Sequence, residues 1–242
     1  GFFQGPLSWS KHVIVFTALV ITMVNLNLKR WDDPMRVIQW DVKSYYAYLP
    51  AVFVHHDISL KFTAEDPKAY ADKFWPVPTE SGGLSLVMTM GLAMMYLPFF
   101  LLAHGYAWLS GGDMSGYSQV YAFALVFSAL AWLLLGMAVL RRVLLRYFSE
   151  AVAALALGAT VFGTNLLYYA SVEAPMSHAY SFSLFSLFIW ATLRWYKRPG
   201  KGISVFIGLL SGLIVLVRPT NIVILLFFIL WDIKSLQDLK QR

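Results

Sequence analysis

The chain has 242 residues, of which 59% are hydrophobic and only 13% charged, against roughly 45–50% apolar and about 25% charged in an ordinary soluble domain. Nineteen Lys and Arg against thirteen Asp and Glu give a net charge of +6, but a mean hydropathy of +0.62 points to lipid rather than nucleic acid as the medium, so the basic excess reads as a topology signal. With no cysteine, disulfides, thiolate metal sites and cysteine nucleophiles are excluded.

The first apolar segment, His12 to Leu28, matches a minimal membrane span of about 17 residues. It lacks a small-residue cleavage site and reads as an anchor. The only long polar stretch follows, Lys29 to Gly83, carrying seven basic and eight acidic residues. Within it, Trp40 to Pro50 reads as a short amphipathic helix. At helical spacing Asp41, Tyr45 and Tyr48 share one face, and Val42, Tyr46 and Leu49 share another, expected to lie on the membrane surface. Five further apolar segments are expected over Leu84–Leu109, Ser118–Leu140, Ala151–Ala170, His178–Leu193 and Ile203–Trp231. Three organisational units result: residues 1–28 as amino terminus and first span, 29–117 as an extracytoplasmic loop with interfacial helices, and 118–242 as a bundle of about five further helices. The fold class is all-α, polytopic and membrane-integral.

Charge sets the expected orientation. The connectors containing Arg141, Arg142 and Arg146, then Arg194, Lys197, Arg198 and Lys201, then Lys234, Lys240 and Arg242 are basic, as cytoplasmic loops are. The Glu173 to His178 turn then lies outside, and Ile203 to Trp231 goes out and back, turning at Arg218-Pro219-Thr220-Asn221. For the signs to agree, Leu84 to Leu109 must not cross. Pro98 and the polar pair His104-Gly105 permit an embedded, bent helix there. The chain opens on Gly1 and ends on a polar run, and is read as a portion of a longer protein.

Three points are candidates for chemistry. Asp41 is read either as a helix cap, a role Asp favours, or as a general base at the membrane surface. Glu173 and His178, five residues apart between two spans, are read either as an ordinary loop or as polar groups positioned near hydrocarbon for function. Arg218 at membrane depth requires an anion: a protein carboxylate, a phosphate group, or the interface reached by snorkelling. His55, His56 and Glu173 are too far apart in sequence to present a metal spacing. The 13 Tyr, 9 Trp and 18 Phe read mainly as interfacial belt and core, with Trp31, Trp40 and Trp75 as candidates for sugar stacking.

On these residues the chain resembles the membrane glycosyltransferases of the C-type fold (GT-C), which include protein O-mannosyltransferases and the lipid A aminoarabinose transferase. The resemblance is carried by Trp40-Asp41-Val42-Lys43-Ser44-Tyr45 in the first loop and by Glu173 after the third span. The phrases Leu97-Pro98-Phe99-Phe100-Leu101-Leu102-Ala103-His104, Phe162-Gly163-Thr164-Asn165-Leu166, Met176-Ser177-His178-Ala179-Tyr180-Ser181-Phe182 and Val217-Arg218-Pro219-Thr220-Asn221 are similar to those of Bacteroidetes-type members. The chain departs from the family in having a Glu as its second acid, no tight acidic pair, a proline-rich stretch reduced to Pro76-Val77-Pro78-Thr79, and fewer spans. The last point marks it as an amino-terminal portion.

The resemblance implies transfer of a sugar from a polyprenyl-phosphate donor to an extracytoplasmic glycan, lipid or protein acceptor, with inversion. It implies Asp41 as general base, Arg218 as ligand of the donor phosphate, and Glu173 and His178 as positioning groups. Tyr45, Tyr48 and Asn221 would contact substrate. No cofactor is expected, a divalent metal has no support from spacing, and a bacterial cytoplasmic membrane is the expected location. Two rival readings are a transporter or flippase, whose intramembrane charges would mark a substrate path, and a non-catalytic membrane assembly subunit.

Overall fold

In the computed structural model, residues 8–233 are described. The expected third basic connector, Lys234 to Arg242, lies outside them. The chain is helical apart from one small hairpin. Helix α1 (Trp9–Leu28) stops at Lys29, whose backbone turns left-handed at φ 43°. Two 3₁₀ turns lead to α2 (Trp40–Phe53), and α3 (Phe62–Glu65) and α4 (Pro67–Tyr70) follow. Strands β1 (Pro76–Pro78) and β2 (Leu84–Leu86) pair antiparallel, Val77 opposite Ser85. The remaining helices are α5 (Gly91–Ser110), α6 (Gln119–Leu144), α7 (Glu150–Phe162), α8 (Leu166–Ser171), α9 (Ser177–Lys197), α10 (Lys201–Val217) and, after a 3₁₀ segment over Pro219–Ile224, α11 (Leu225–Leu230). Three helical stretches, Trp9–Asp32, Gly91–Ser110 and Gln119–Leu144, are long and apolar enough to cross a membrane.

Helix α6 is the centre of the bundle. It packs along α9 so closely that a Cβ on Gly136 would lie 2.8 Å from the Cα of Ser183, and the Ser128 and Tyr180 hydroxyls meet at 2.5 Å in the buried seam. Small and hydroxylated side chains allow this approach: Ser177, Ser181, Ser183, Ser186 and Thr192 of α9 are all buried. At one end, α1, α6 and α7 are tied by charge. Glu150 at the start of α7 accepts from the Ser10 backbone N–H at 2.9 Å and from the Ser10 hydroxyl. Arg141 donates to Ser10 and Ser8 and lies 3.6 Å from Glu150. At the opposite end, Trp31 packs edge-on against Phe123 at 5.2 Å, and Gln119 donates to the Asp32 carbonyl. Helix α10 runs from the Arg141 end to the opposite end. The chain returns through α11 to set Trp231 against Tyr147 and Phe228 against Trp195.

Several expected boundaries change. Leu84 to Met90 is not part of an apolar helix: Leu84–Leu86 forms β2. Helix α5 is continuous through Pro98 and across His104-Gly105, and the His104 ring meets the Tyr121 hydroxyl at 2.7 Å. Helix α5 lies against the half of the bundle opposite the Arg141 end. Its Met95 carbonyl accepts from Trp132, Tyr96 donates to the Pro175 carbonyl, and the neighbouring Thr89 donates to the Leu216 carbonyl. The expected segment Ala151–Ala170 is two short helices, α7 and α8, parted at Gly163. The Val42, Tyr46 and Leu49 face of α2 does not lie on a surface. All three are buried, with Tyr46 donating to the Gly116 carbonyl at 2.5 Å and its ring 6.0 Å from that of Phe100. The apolar stripe of α2 is therefore matched by α5 and the 111–118 loop.

Residues beyond α2 form an aromatic cluster. His55 stacks on Phe62 at 4.0 Å and meets Tyr70 and Phe74 edge-on. Burial, then the nearby Lys73 charge, lowers the His55 pKa, so the ring is neutral in the fold when the unfolded chain would already be charged. Stability is complete above the ordinary histidine value of about 6.5 and falls as pH drops below it, because the unfolded state then binds the extra proton. The protection of residues 54–90 against hydrogen exchange, taken relative to the intrinsic exchange rate at each pH, should fall between pH 7 and 5 in the wild type, and this fall should be lost in His55→Phe. A second expectation concerns Gly91, whose Cβ would overlap the Leu216 carbonyl of α10. Gly91→Ala should destabilise the purified protein by about 1–3 kcal/mol through overpacking. Gly208→Ala, where the added methyl meets open space, should leave the melting temperature unchanged or higher.

Candidate functional site

The site lies where α10 stops. Arg218 leaves the helix with extended backbone, φ −153° and ψ 122°, because the ring of Pro219 disfavours helical geometry in the residue before it. The turn is closed by the Asn221 backbone N–H on the Arg218 carbonyl at 2.9 Å. The Asn221 amide then donates to Ser181 of α9 at 3.0 Å, which fastens the turn against the start of α9. The first residues of α9 supply the opposite wall. Ser177, Ser181 and Phe185 recur at four-residue spacing on one helix face, and with Asn165, Leu166, His178, Phe182, Arg218 and Asn221 they line a cavity of about 290 Å³.

His178 is held by stacking rather than by hydrogen bonding. Its ring lies flat on Tyr169, with centroids 3.6 Å apart and planes 4° apart. Its Nδ1 is buried with no hydrogen-bond partner, and the residue lines the cavity. Arg218 is exposed. Among the described residues its guanidinium makes no ion pair; the two ion pairs found there belong to Arg30 with Glu173 and Arg141 with Glu150. The amide N–H groups that open α9 add a fixed positive potential to this wall, as the first turn of a helix does.

Tyr45 connects α2 to this cavity. Its ring is buried, and its phenol lies against Ser177 and within the fields of both Arg218 and Asp41. Burial pushes the Tyr45 pKa up, Arg218 opposes, and Asp41 pushes it further up. Asp41 itself, one turn earlier, is partly exposed. It does not cap α2: the N-cap position is Gln39, and the Asp41 carboxylate has no hydrogen bond or ion pair among the described residues. Its predecessor Trp40 has a left-handed backbone, φ 50°, and an indole that is 71% exposed; a non-glycine residue in that region costs about 1–3 kcal/mol.

The sequence candidates therefore separate. His178, Arg218 and Asn221 line one cavity, and Tyr45 meets its wall at Ser177 and lies in the field of Asp41. Glu173 is committed elsewhere, its Oε1 accepting from Arg30 at 3.1 Å and from Gln39 at 3.4 Å. Arg30 in turn donates to the Arg36 carbonyl at 2.7 Å. Glu173 thus anchors the start of α2 to the α8–α9 turn and holds Asp41 indirectly. Tyr48 points away from the cavity and donates to the Met88 carbonyl at 2.7 Å. Trp31 is packed against Phe123 and Phe127, whereas Trp40 and Trp75 are exposed. Among the described residues no group of three His, Asp or Glu is placed to hold a metal ion. Asn165, Ser177, Ser181 and Phe185 were not among the sequence candidates, although the regular spacing of the last three was visible in the sequence.

The cavity continues into an apolar groove. Asn221 and Phe185 line both, and the groove proceeds between α9 and the returning chain along Thr220, Val223, Ile224 and Phe227. A largely apolar cavity that carries Arg218, His178 and two serine hydroxyls thus shares a wall with a more apolar groove. Compared with protein-family models, curated proteins and solved structures, the chain matches none.

The Arg30–Glu173 pair is 16% and 19% exposed, so breaking it should leave a poorly solvated charge. Arg30→Met and Glu173→Gln should each destabilise the fold, and the double variant should lose less than the sum of the two. Additive losses in a double-mutant cycle of thermal or denaturant stability would show that the pair does not anchor α2.

Proposed function

We propose that the chain is part of a polytopic integral membrane glycosyltransferase of the C-type fold, acting at the outer face of a bacterial cytoplasmic membrane. The observation that carries this reading is the Arg218 guanidinium, which has no ion pair among the described residues and lines a cavity that shares Phe185 and Asn221 with an apolar groove. A phosphate ester of a long hydrocarbon matches both chambers: the planar fork of arginine suits phosphate oxygens, and the groove suits the chain attached to them. A polyprenyl-phosphate-linked sugar is such a molecule, and the sequence resemblance points to the same donor class. The three apolar helices support the membrane assignment, and the basic connectors support the orientation.

In this mechanism Arg218 and the first-turn amides of α9 hold the donor phosphate and stabilise the charge that develops on it as the bond from the anomeric carbon to phosphate oxygen breaks. The acceptor hydroxyl oxygen forms the new bond from the opposite face, which inverts the carbon. Its proton passes to Asp41, the carboxylate with no competing partner. Polyprenyl phosphate leaves. Tyr45 lies in the fields of both charged groups and against Ser177, and links the base to the phosphate site. His178, fixed on Tyr169, and Asn221, fixed on Ser181, orient donor oxygens. Glu173 acts as a positioning group through Arg30 and Gln39, by setting the start of α2 that carries the base. Neither a cofactor nor a metal enters the scheme.

Asp41→Asn should lower sugar transfer from a polyprenyl-phosphate donor by at least about 10²-fold, with expression and melting temperature unchanged, when assayed in the full-length protein in liposomes. Undiminished transfer in that variant would remove Asp41 as the base. Concentrative uptake of a solute without any transfer would favour a transporter instead.

A further inference from the structure

The end of the bundle opposite the cavity carries a set of cations that form no ion pair among the described residues. Arg194, Lys197, Arg198 and Lys201 fall within eight residues at the α9–α10 turn, and all four are exposed. None is in an ion pair among the described residues. From Ala174 to Trp231 the sequence contains no Asp or Glu at all, so neither α9 nor α10 offers them a carboxylate. The described carboxylates at this end are Glu150, bonded to Ser10 and Arg141, and Asp232, which has an interaction of its own.

The aromatic residues beside these cations are arranged differently. Trp195 donates to Ser204 at 2.9 Å and packs on Phe228 at 5.1 Å, and Tyr196 donates to the Phe228 carbonyl at 2.8 Å. Trp231 packs against Tyr147, which is itself exposed, as is Phe148. Tryptophan and tyrosine at one level of a helical bundle mark the headgroup region of a bilayer. Here they fasten α9, α10 and α11 together while the intervening cations form no ion pair among the described residues. The turn is therefore a cationic rim whose neighbouring rings are tied to α10 and α11.

We propose that the α9–α10 turn is a binding surface for anionic phospholipid, with Arg194, Lys197, Arg198 and Lys201 engaging headgroup phosphates and the Trp195, Tyr196 and Tyr147 rings seated at the headgroup boundary. This rests on the membrane assignment above but not on the transferase chemistry. Each basic residue near an anionic leaflet strengthens binding by about five-fold, and the interaction is screened by salt.

The test uses the full-length protein in nanodiscs, with melting temperature and co-purified lipid as readouts. Partial replacement of phosphatidylcholine by phosphatidylglycerol should raise the melting temperature, and phosphatidylglycerol should be enriched in the lipid retained. Both effects should fade between 0.1 and 1 M NaCl. The variant R194Q/K197Q/R198Q/K201Q should melt like the wild type in pure phosphatidylcholine and lose the preference. K197R/K201R, which keeps the charge, should retain it. Equal stability and retention in the two lipids, or a preference in wild type that persists at 1 M NaCl, would overturn the proposal. Full replacement of the effect by soluble glycerol phosphate would assign the site to free phosphate and likewise overturn it. Failure to enter phosphatidylcholine nanodiscs would instead contradict the membrane assignment.

Discussion

An arginine that ends a helix without a carboxylate is the constraint around which the rest of this molecule is arranged. Pro219 stops α10 at Arg218, the turn is closed by Asn221, and Asn221 is held by Ser181 of α9. Unpaired guanidinium is costly near hydrocarbon, at least about 2.5–3.5 kcal/mol on insertion scales. Neither Glu173 nor Asp41 pairs with it: Glu173 is bound to Arg30 and Gln39, and Asp41 forms no ion pair among the described residues. Leaving both Arg218 and Asp41 uncommitted suits a site that binds an anion at one point and takes a proton at another.

The surrounding structure keeps those two groups in place. The start of α2 is fixed by the Arg30–Glu173 pair across 143 residues of sequence, and its body is fixed by burial of Val42, Tyr46 and Leu49 against α5. Helix α5 reaches the end of α10 through the contact at Gly91 and the Thr89 hydrogen bond, and reaches the α8–α9 turn through Tyr96 and Pro175. The loop between the first and later apolar segments is therefore woven into the bundle at the level of the cavity. Charge is sorted by end: the Arg141 and α9–α10 cations lie at one end, and the acid-bearing loop and the cavity at the other.

Much of the helical order was legible in the sequence, because long apolar runs need no partner to declare themselves. The segments now seen as α1, α6, α9 and α10 differ from the expected ones mainly at their ends. Features that depend on distant partners were less legible. An amphipathic stripe such as Val42, Tyr46 and Leu49 has the same pattern whether it meets lipid or another helix, and only the fold shows that it meets α5. The hairpin at Pro76–Pro78 and Leu84–Leu86 is too short for alternation to register. The division of Ala151–Ala170 at Gly163 lies inside an otherwise apolar run. For the candidate site, Arg218, His178 and Asn221 stood out as polar groups flanking apolar segments. That Glu173 belongs to Arg30 rather than to the cavity could not be read without the pairing of residues 30 and 173.

The central claim is that Arg218 holds the phosphate of a hydrocarbon-linked ligand. The most direct measurement is native mass spectrometry of the full-length protein released from detergent with undecaprenyl phosphate added, comparing wild type with Arg218→Gln and with Phe185→Asp in the groove. The account predicts one bound molecule in the wild type, loss in both variants, and no displacement by inorganic phosphate at the same concentration. Retention of undecaprenyl phosphate by both variants would contradict it.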